Sequence, residues 1–445
     1  MSGPGTFFGL EIGRRGLQAE RQALEVVGHN LSNASTEGYS RQEAVHEATD
    51  PYCNPVLNQK LLPGQIGTGV EITYIRRYRD LYMDNQWRDV ACSQGYWEGL
   101  NESLKKVEAA FPEPDEEYGL QTLIGKFFNA WEDLNNTPQD IGPKAAVREA
   151  GAELATTFRQ TYMQLSDVRN NIDSVIDEKV ARINSLTQQI TEVSTAIARI
   201  IKLGEQPNDL LDKRDLLLDE LGKIGRVTVE NSADGYVSVS LYGQELVAFD
   251  NSRVDITRAD AEGWAATNPE TGMLVGYFDA LDKVDEYMSM MDELALGLTN
   301  VVNALHATTT ASGTYPDFFT ATGAADFNLS ADVQSAITNV NGDMALDIGG
   351  LRTDLTMLGN TATFEGYYRG LTTMIGADTQ GSADRLGTQN AVMTQVDNLR
   401  ESLIGVSTDE ELTKMIQFQY AYQSSARTIT VMDELLDTLI NRTAV

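Results

Sequence analysis

The sequence predicts a mainly α-helical protein with long coiled-coil-like terminal and middle helices, an extended N-terminal arm and a small inserted antiparallel β region (α+β overall). Three patterns predict this class. Apolar residues recur every seven positions at both ends of the chain, and every three or four positions through 144–203. The period falls to two between Gly225 and Arg258, as in strands with one buried face.

The C-terminal stretch 405–445 predicts one long helix. Ser407 and Thr408 each stand three residues before a glutamate, an arrangement that predicts a reciprocal cap at the start of the helix. A helix of about 35 residues is about 50 Å long, and we expect it to need a partner along its apolar seam. Seven of the eight seam positions are apolar, and the eighth is Ser425. The apolar seam residues are Met415, Phe418, Tyr422, Ile429, Met432, Leu436 and Leu439.

A second heptad stripe near the N-terminus is the comparable partner. It consists of Leu10, Leu17, Leu24 and Leu31. Gly13, Gly16 and Gly28 should let a neighbouring helix come close, although each glycine weakens a helix by up to about 1 kcal/mol relative to alanine. We therefore expect the two ends of the chain to meet, each helix being firm only when packed.

An extended arm should follow the first helix. The helix is expected to end near Asn33, in a run of residues that favour caps and turns, and Gly38 is suited to a positive φ. Alternating residues over 39–48 and again over 69–78 predict that the arm is hairpin-like.

The interior of the chain predicts a helical body with one β insertion. Helices are expected over 80–111, 118–136, 144–203, 209–221, 276–307 and 363–404. Asn208 is expected to cap the helix at 209–221, and residues 308–362 predict loops with short strands. The predicted strands contain Val227 and Val229, then Val237, Val239 and Leu241, then Val254 and Ile256, with a turn at Ala233-Asp234-Gly235.

These elements predict a nested organisation in which both ends form one inner unit. The N-terminal helix and arm would occupy 1–80, and the C-terminal helix 405–445. A middle domain would be built from 81–224 and 276–404 around the β insertion at 225–275.

Charge and composition exclude several classes of protein. The formal net charge of -31, from 65 acids and 34 bases, argues against nucleic acid or an anionic membrane as the main partner. No run of 18 apolar residues predicts a membrane span, and the N-terminus lacks the features of a cleaved signal peptide. Cys53 and Cys92 are expected to be free thiols.

No motif predicts catalysis, so we expect no catalytic, metal or cofactor-binding residues. The three histidines and two cysteines show no zinc-ligand spacing. Thr68 lies among Gly64, Gly67 and Gly69 but lacks the residues that follow in a phosphate-binding loop. A carboxylate pair acting on a glycan stays an alternative, because 65 acids can place some pair face to face in any fold.

Several runs of residues resemble the bacterial flagellar axial proteins, the family of rod, hook and junction subunits. The run from Gly28 to Tyr39 (GHNLSNASTEGY) is similar to their N-terminal motif, and Ser40-Arg41-Gln42 after it is similar to the form in hook–filament junction subunits. The family motif residues are Asn30, Asn33, Gly38, Tyr39, Arg41 and Gln42. Further similar runs are 405–411 (GVSTDEE), 419–422 (QYAY), 432–439 (MDELLDTL) and 211–215 (LDKRD).

This resemblance implies a structural subunit at the hook–filament junction, outside the cell. It implies export through the flagellar type III apparatus without a cleaved signal peptide, and a ring of copies whose terminal helices line the channel. The implied partners are other copies of the chain, the hook protein, the second hook–filament junction protein, and a cytosolic export chaperone that binds the C-terminal helix.

Two features depart from the family pattern. Glu37 stands where a proline is common, and the segments after Asp250 and after Ala307 are short. The short segments imply that an outer domain is reduced or missing.

Three alternatives remain open from the residues. The chain could be another axial subunit of the hook or distal rod, or a type III secreted coiled-coil effector. The heptad stripes could also belong to an ordinary intramolecular bundle. Their position at both ends of the chain favours self-assembly, because a projecting two-helix unit covers its remaining apolar faces only against other copies.

Overall fold

Long helices make up most of the described chain, which comprises residues 7–51, 66–111 and 119–442 of a computed structural model. The helices are α1 (Phe8–Ser32), α2 (Leu81–Ala109), α3 (Leu120–Asn136), α4 (Ile141–Lys202), α5 (Asn208–Ile224), α6 (Arg258–Thr267), α7 (Met273–His306), α8 (Ala331–Ser335), α9 (Ala345–Gly350), α10 (Phe364–Ile404) and α11 (Thr408–Asp437). A π-helical turn over Thr438–Arg442 follows α11. The mainly α-helical class is confirmed; the short α-helices α6, α8 and α9 were not predicted.

The N-terminal arm is a two-stranded hairpin beside α1. Strand β1 (Gln42–Ala48) pairs antiparallel with β2 (Val70–Arg77), and the register shifts between Val45 and His46. The hairpin-like arm is therefore confirmed for these residues. Cys53 lies outside the described residues, whereas Cys92 is a buried free thiol in α2.

Helix α4 runs without a break for 62 residues, which makes it about 93 Å long at about 1.5 Å per residue. The Asp140 carboxylate caps its first turn by accepting a hydrogen bond from the Gly142 N–H at 3.1 Å. Its side chains at intervals of three and four residues are buried against α3, α5 and α7. The chain leaves the helix at Gly204, where φ is +83°.

The main core lies between α2, α3, α4, α7 and α10. At the α3 end it is built from aromatic rings in edge-to-face and tilted contact. These buried rings are Phe127, Phe128, Trp131, Phe158, Phe318, Phe319 and Phe327. Residues from the segment after α7 therefore complete the core, although they lack regular periodicity in sequence.

A buried histidine at the end of α7 is hydrogen-bonded to the segment that follows this helix. His306 is fully buried, its Nδ1–H donates to the Pro316 carbonyl oxygen at 2.7 Å, and its Nε2 accepts from the Asn341 N–H at 3.0 Å. Burial lowers the pKa of His306 to about 4, so the ring stays neutral near pH 7. The predicted loops and short strands of this segment are confirmed as β6 (Thr309–Thr310), β7 (Gly313–Thr314), β8 (Phe319–Thr320) and β9 (Asn328–Leu329).

The β insertion contains three antiparallel strands, but the third is not the predicted one. Strand β3 (Val227–Asn231) pairs with β4 (Val237–Leu241), with Gly235 at φ +89° in the predicted turn. The chain then reverses at once, because Tyr242 and Gly243 both have positive φ, and β5 (Gln244–Val247) pairs back onto β4. The prediction of a strand at Val254 and Ile256 was wrong. An isolated bridge joins Val247 to Arg253 instead.

Candidate assembly interface

The two ends of the chain meet, as predicted: α1 and α11 pack against each other in antiparallel directions. The contact is close because glycines of α1 lie beneath larger side chains of α11. A Cβ atom built on Gly9 would lie 2.6 Å from Met432 Cε, and one on Gly13 would lie 2.7 Å from Ile429 Cγ1. Such approaches leave room only for glycine, unless the neighbouring side chain moves.

The centre of this seam on α1 is one residue away from the predicted leucine stripe. Gly9 faces Met432, Gly16 faces Ser425, and Ala23 belongs to the small cluster on which Phe418 packs. Asn30 is hydrogen-bonded to Glu411. The contacting residues of each helix are spaced by seven, so the heptad prediction gave the correct period and, on α1, the wrong face.

The predicted assembly residues occupy two different environments. On α11, the seam residues Met415, Phe418, Tyr422, Ile429, Met432 and Leu436 are half-buried, whereas Leu439 is 58% exposed. On α1, Leu10, Leu17, Leu24 and Leu31 are half-buried on the flank of the seam. Of the three glycines predicted to admit a neighbour, Gly13 and Gly16 do so, but Gly28 has open space around it.

An apolar row remains exposed on α11 after α1 has packed. Its members follow each other mostly at intervals of four residues, so the row winds across the back of the helix. Each is at least 44% exposed. The row consists of Leu412, Ile416, Tyr420, Val431 and Leu435 of α11 and Leu439 of the π-helical turn that follows it.

The family motif forms a buried polar cluster at the base of the two helices. The side-chain amide of Asn30 pairs with the backbone of Gln42, donating to its carbonyl oxygen at 2.8 Å and accepting from its N–H at 2.9 Å. The same Nδ2 group donates to Glu411 Oε2 at 2.9 Å, and Tyr39 donates its hydroxyl proton to Asn30 Oδ1 at 2.8 Å. Arg41 Nε donates to Glu411 Oε1 at 3.0 Å. The carboxylate of Glu411 is fully buried.

The predicted helix caps near this cluster are only partly right. The Ser407 hydroxyl accepts from the Glu410 N–H at 3.4 Å, as an N-cap does. The two glutamates, however, face Arg41 rather than closing a reciprocal cap. Asn208 does not cap α5 through its side chain; its amide donates to Gln42 Oε1 and to the Ile75 carbonyl oxygen. The Asn208 amide binds the arm and not its own helix because the strand residues of the arm lie directly over the start of α5.

Acidic residues of α5 bind the arm to the body. The Ser40 N–H donates to Asp212 Oδ2 at 3.0 Å, and Gln42 Nε2 donates to Asp209 Oδ1 at 3.0 Å. Arg77 contacts both Asp212 at 2.6 Å and Asp215 at 3.0 Å. Two acids of the LDKRD run at 211–215 therefore hold the arm.

Beneath the arm, buried arginines and aspartates join α2, α5 and α10. Arg400 of α10 contacts Asp84 of α2 at 2.9 Å and Asp219 of α5 at 2.5 Å. Arg79 contacts Asp84 at 2.8 Å and lies 3.6 Å from Asp215. Burial by itself raises the pKa of Asp215, but Arg79 and its neighbouring arginines hold that pKa below its usual value. The Asp215 carboxylate is therefore charged near pH 7.

The remaining motif residues form the turn after α1. Asn33 donates its side-chain amide to the His29 carbonyl oxygen at 3.0 Å and so covers the end of the helix. Gly38 has φ +76°, as predicted, and packs against Leu216. The turn borders a cleft of about 720 Å³ that reaches Arg79, Trp87 and the end of α10.

Sequence reasoning missed the partners of the motif. Glu411 was interpreted as a capping residue, and the acids of α5 were recognised only through family resemblance. A run of three arginines at Arg76, Arg77 and Arg79 was a usable signal, because so many bases in one short arm require acidic partners nearby.

The described residues show neither metal-ligand clusters nor spanning helices. Within 7–51, 66–111 and 119–442, no group of three or more His, Cys, Asp or Glu side chains is arranged to hold a metal ion. None of the helices in these ranges combines the length and apolar character needed to cross a bilayer.

Comparison with known families matches three parts of the chain. The flagellar hook-associated protein FlgK helical domain matches residues 104–319. The flagella basal body rod protein family matches residues 10–39, and the C-terminal region of the flagellar basal body rod FlgEFG proteins matches residues 402–442. The terminal matches are thus to families of rod proteins, whereas the interior match is to the helical domain of the hook-associated protein.

Individual relatives extend this match to nearly the whole chain. Flagellar hook-associated protein 1 of Bacillus subtilis (strain 168) is 30% identical over 98% of each chain. The Escherichia coli (strain K12) protein of the same name is 23% identical over 96% of this chain and 98% of its own. The solved structure of the flagellar hook junction protein FlgK from Burkholderia pseudomallei shares the fold, with a TM-score of 0.62 and 14% identity over 73% of this chain and 100% of that chain. The chain therefore belongs to the flagellar hook-associated protein 1 family and is a structural subunit of the bacterial flagellum.

Proposed function

We propose that this subunit joins hook to filament by assembling with copies of itself through α1 and α11. The observation that supports this most directly is the apolar row Leu412–Leu439, which stays exposed on α11 after α1 has covered the seam. Together with the leucines on the flank of α1, this row gives the two-helix unit apolar surface on two sides. A ring of copies would bury both.

The distribution of charge supports packing of the terminal segments against each other. Acids outnumber bases by 27 in residues 81–404, but only by 4 in residues 1–80 and 405–445 together. Many copies of a strongly acidic surface would repel each other at short range. The nearly neutral terminal segments avoid that repulsion, and the acidic middle segments would face outwards to solvent.

The proposed partners follow from this arrangement and from the resemblance to the flagellar axial proteins. We propose contacts with the hook protein on one side and the second hook–filament junction protein on the other. A cytosolic export chaperone would cover the exposed row of α11 before assembly, because about six exposed apolar residues on one helix invite aggregation. Export by the flagellar type III apparatus would place the subunit outside the cell.

The proposed role is mechanical rather than enzymatic. The polar cluster of the motif is largely occupied by internal partners, since Asn30, Arg41 and Glu411 bind one another. A group engaged in this way holds the fold together and is not available to a substrate.

Co-sedimentation with hooks isolated from a strain that lacks its own junction proteins tests the proposal. The full chain is expected to pellet with the hooks, and a chain that ends at Gly405 is expected to stay in the supernatant. Pelleting of both chains would show that α11 is not the anchor. Pelleting of neither would contradict a direct contact with the hook.

A charge-matched pair of variants tests the exposed row itself. Ile416→Glu with Leu435→Glu adds two negative charges within the row, and should abolish incorporation into filaments while the far-UV circular dichroism is unchanged. Gln419→Glu with Thr430→Glu adds the same charges at exposed polar positions of the same helix, and should incorporate normally. Equal incorporation of the two variants would exclude the row as a contact between copies.

A further inference from the structure

We infer that Asn30 and Glu411, supported by Arg41, set the register in which α11 pairs with α1. They are positioning residues for the two-helix unit. This inference concerns pairing within one chain, so it goes beyond the proposed function and does not depend on contacts between copies.

The apolar part of the seam repeats and therefore fixes the register weakly. On α1 the small residues Gly9, Gly16 and Ala23 are spaced by seven, and the α11 residues that face them are also spaced by seven. Sliding α1 along α11 by seven residues, about 10 Å, would again place residues of this small stripe beneath seam residues of α11. After such a slide Gly16 would lie opposite Met432 instead of Ser425.

The chain has slack for this slide in one direction. Residues 33–41 connect α1 to β1 outside any helix or strand, and Ser35, Thr36 and Glu37 are exposed. Straightening this turn would let α1 move towards the C-terminal end of α11. Movement in the opposite direction would push α1 into the body, where Ser40 is buried and bound to Asp212.

The polar pair does not repeat, and it distinguishes the two registers. Asn30 and Glu411 are both fully buried, and their side chains lie 2.9 Å apart. In the shifted register Asn30 would lie opposite Phe418, with no acceptor for its amide, and Glu411 would lose that donor. Buried polar groups without partners are costly, and one buried polar position is enough to fix register in coiled coils.

Arg41 links this register to the rest of the molecule. Its guanidinium binds Glu411, and its backbone N–H donates to the Ile404 carbonyl oxygen at 2.9 Å, at the end of α10. Arg41 therefore fixes the start of α11 relative to the arm and to the end of α10. A slide of α11 breaks this connection, and a slide of α1 breaks the bonds that Asn30 makes to Glu411 and Gln42.

Disulfide trapping in the purified full chain tests the inference. A Cβ on Gly16 would lie 3.7 Å from Ser425 Cβ, a separation suited to a disulfide. In a Cys53→Ser background, Gly16→Cys with Ser425→Cys reports the observed register, and Gly16→Cys with Met432→Cys reports the shifted one. Each pair is equilibrated at low protein concentration in a glutathione buffer, and the intramolecular disulfide is measured by mass spectrometry.

The ratio compared is the amount of intramolecular disulfide in the observed-register pair over that in the shifted pair. With Asn30 and Glu411 intact, this ratio should be at least about 100-fold. Asn30→Leu with Glu411→Leu removes both polar partners at once, and should lower the ratio below about 10-fold. The control Gln419→Leu with Thr430→Leu adds two leucines at exposed positions of α11 and should leave the ratio unchanged.

Three outcomes would overturn the inference. The first is a disulfide ratio that stays high in the variant Asn30→Leu with Glu411→Leu. The second is loss of both disulfides in that variant while the body keeps its helical signal. Asn30 and Glu411 would then stabilise the contact between α1 and α11 without selecting its register. The third concerns Glu411→Gln, whose amide nitrogen must face either Asn30 or Arg41, both of which are donors. This variant should give an intermediate ratio, and a ratio equal to that of the protein with Glu411 intact would contradict the inference.

Discussion

Protonation of His306 should destabilise the helical body between pH 6.5 and pH 4. The ring is neutral in the fold, where one nitrogen is hydrogen-bonded to Pro316 and the other to Asn341. Burial lowers its pKa from 6.5 to about 4, so the unfolded chain binds a proton at a higher pH than the folded chain does. The stabilisation is therefore complete above pH 6.5 and is lost as the pH falls towards 4.

The magnitude follows from the size of the shift. One pKa unit corresponds to about 1.4 kcal/mol, so the shift amounts to about 3 kcal/mol in full and about 2 kcal/mol between pH 7 and pH 5. Glutamine at position 306 keeps one donor and one acceptor but does not titrate. His306→Gln should therefore show a smaller loss of stability between pH 7 and pH 5, by about 2 kcal/mol relative to the wild type.

Urea unfolding at pH 7 and pH 5, followed by far-UV circular dichroism, gives the required free energies of unfolding. His46→Gln removes an imidazole from an exposed position of β1 and serves as the control, because it leaves His306 in place. The other acids and bases titrate equally in all three proteins, so the difference between variants isolates His306. If His306→Gln and the wild type lose the same free energy between the two pH values, the assignment of a neutral, buried His306 is refuted.

Three further changes test the packing at the two ends of the chain. Gly13→Val would press on Ile429 and should make α1 more sensitive to limited proteolysis, whereas Gly28→Ala enters open space and should not. Arg400→Met leaves two buried aspartates without this partner, and should lower the free energy of unfolding in urea by about 3–5 kcal/mol. Ser407→Ala removes the cap of α11, and should speed amide exchange in its first turn in line with a loss of about 1 kcal/mol.

The period of a helix was easier to predict from sequence than the face it buries. The seven-residue spacing of α1 and α11 was correct, but the leucines that revealed it lie beside the seam. Two helices in very close contact bury their smallest residues, and glycine contributes little to a hydrophobic pattern. The sequence therefore predicted that the helices pair, and the structure was needed to show through which residues.

The errors in the β insertion and at the helix caps have a different cause. Tyr242 lies in a left-handed conformation that is unusual for a residue other than glycine or asparagine, so its turn was not anticipated. Glu411 has a local interpretation as a capping residue, whereas its actual partner Asn30 is 381 positions away. Local patterns do not reveal which distant groups compete for the same side chain.

Different contacts stabilise the helical body, the pair α1 and α11, and the polar layer between them. That difference bears on how a joining subunit works. The body is held by aromatic packing, and the pair α1 and α11 by small residues under larger ones. Between them lies a set of buried ion pairs and hydrogen bonds from the arm to α5 and α10. Apolar contacts tolerate small displacements, but buried charges are stable only when their partners are in place. The polar layer therefore defines the position of the two-helix unit on the body, while the apolar row of α11 lies exposed at the surface, where the proposed contacts between copies would form.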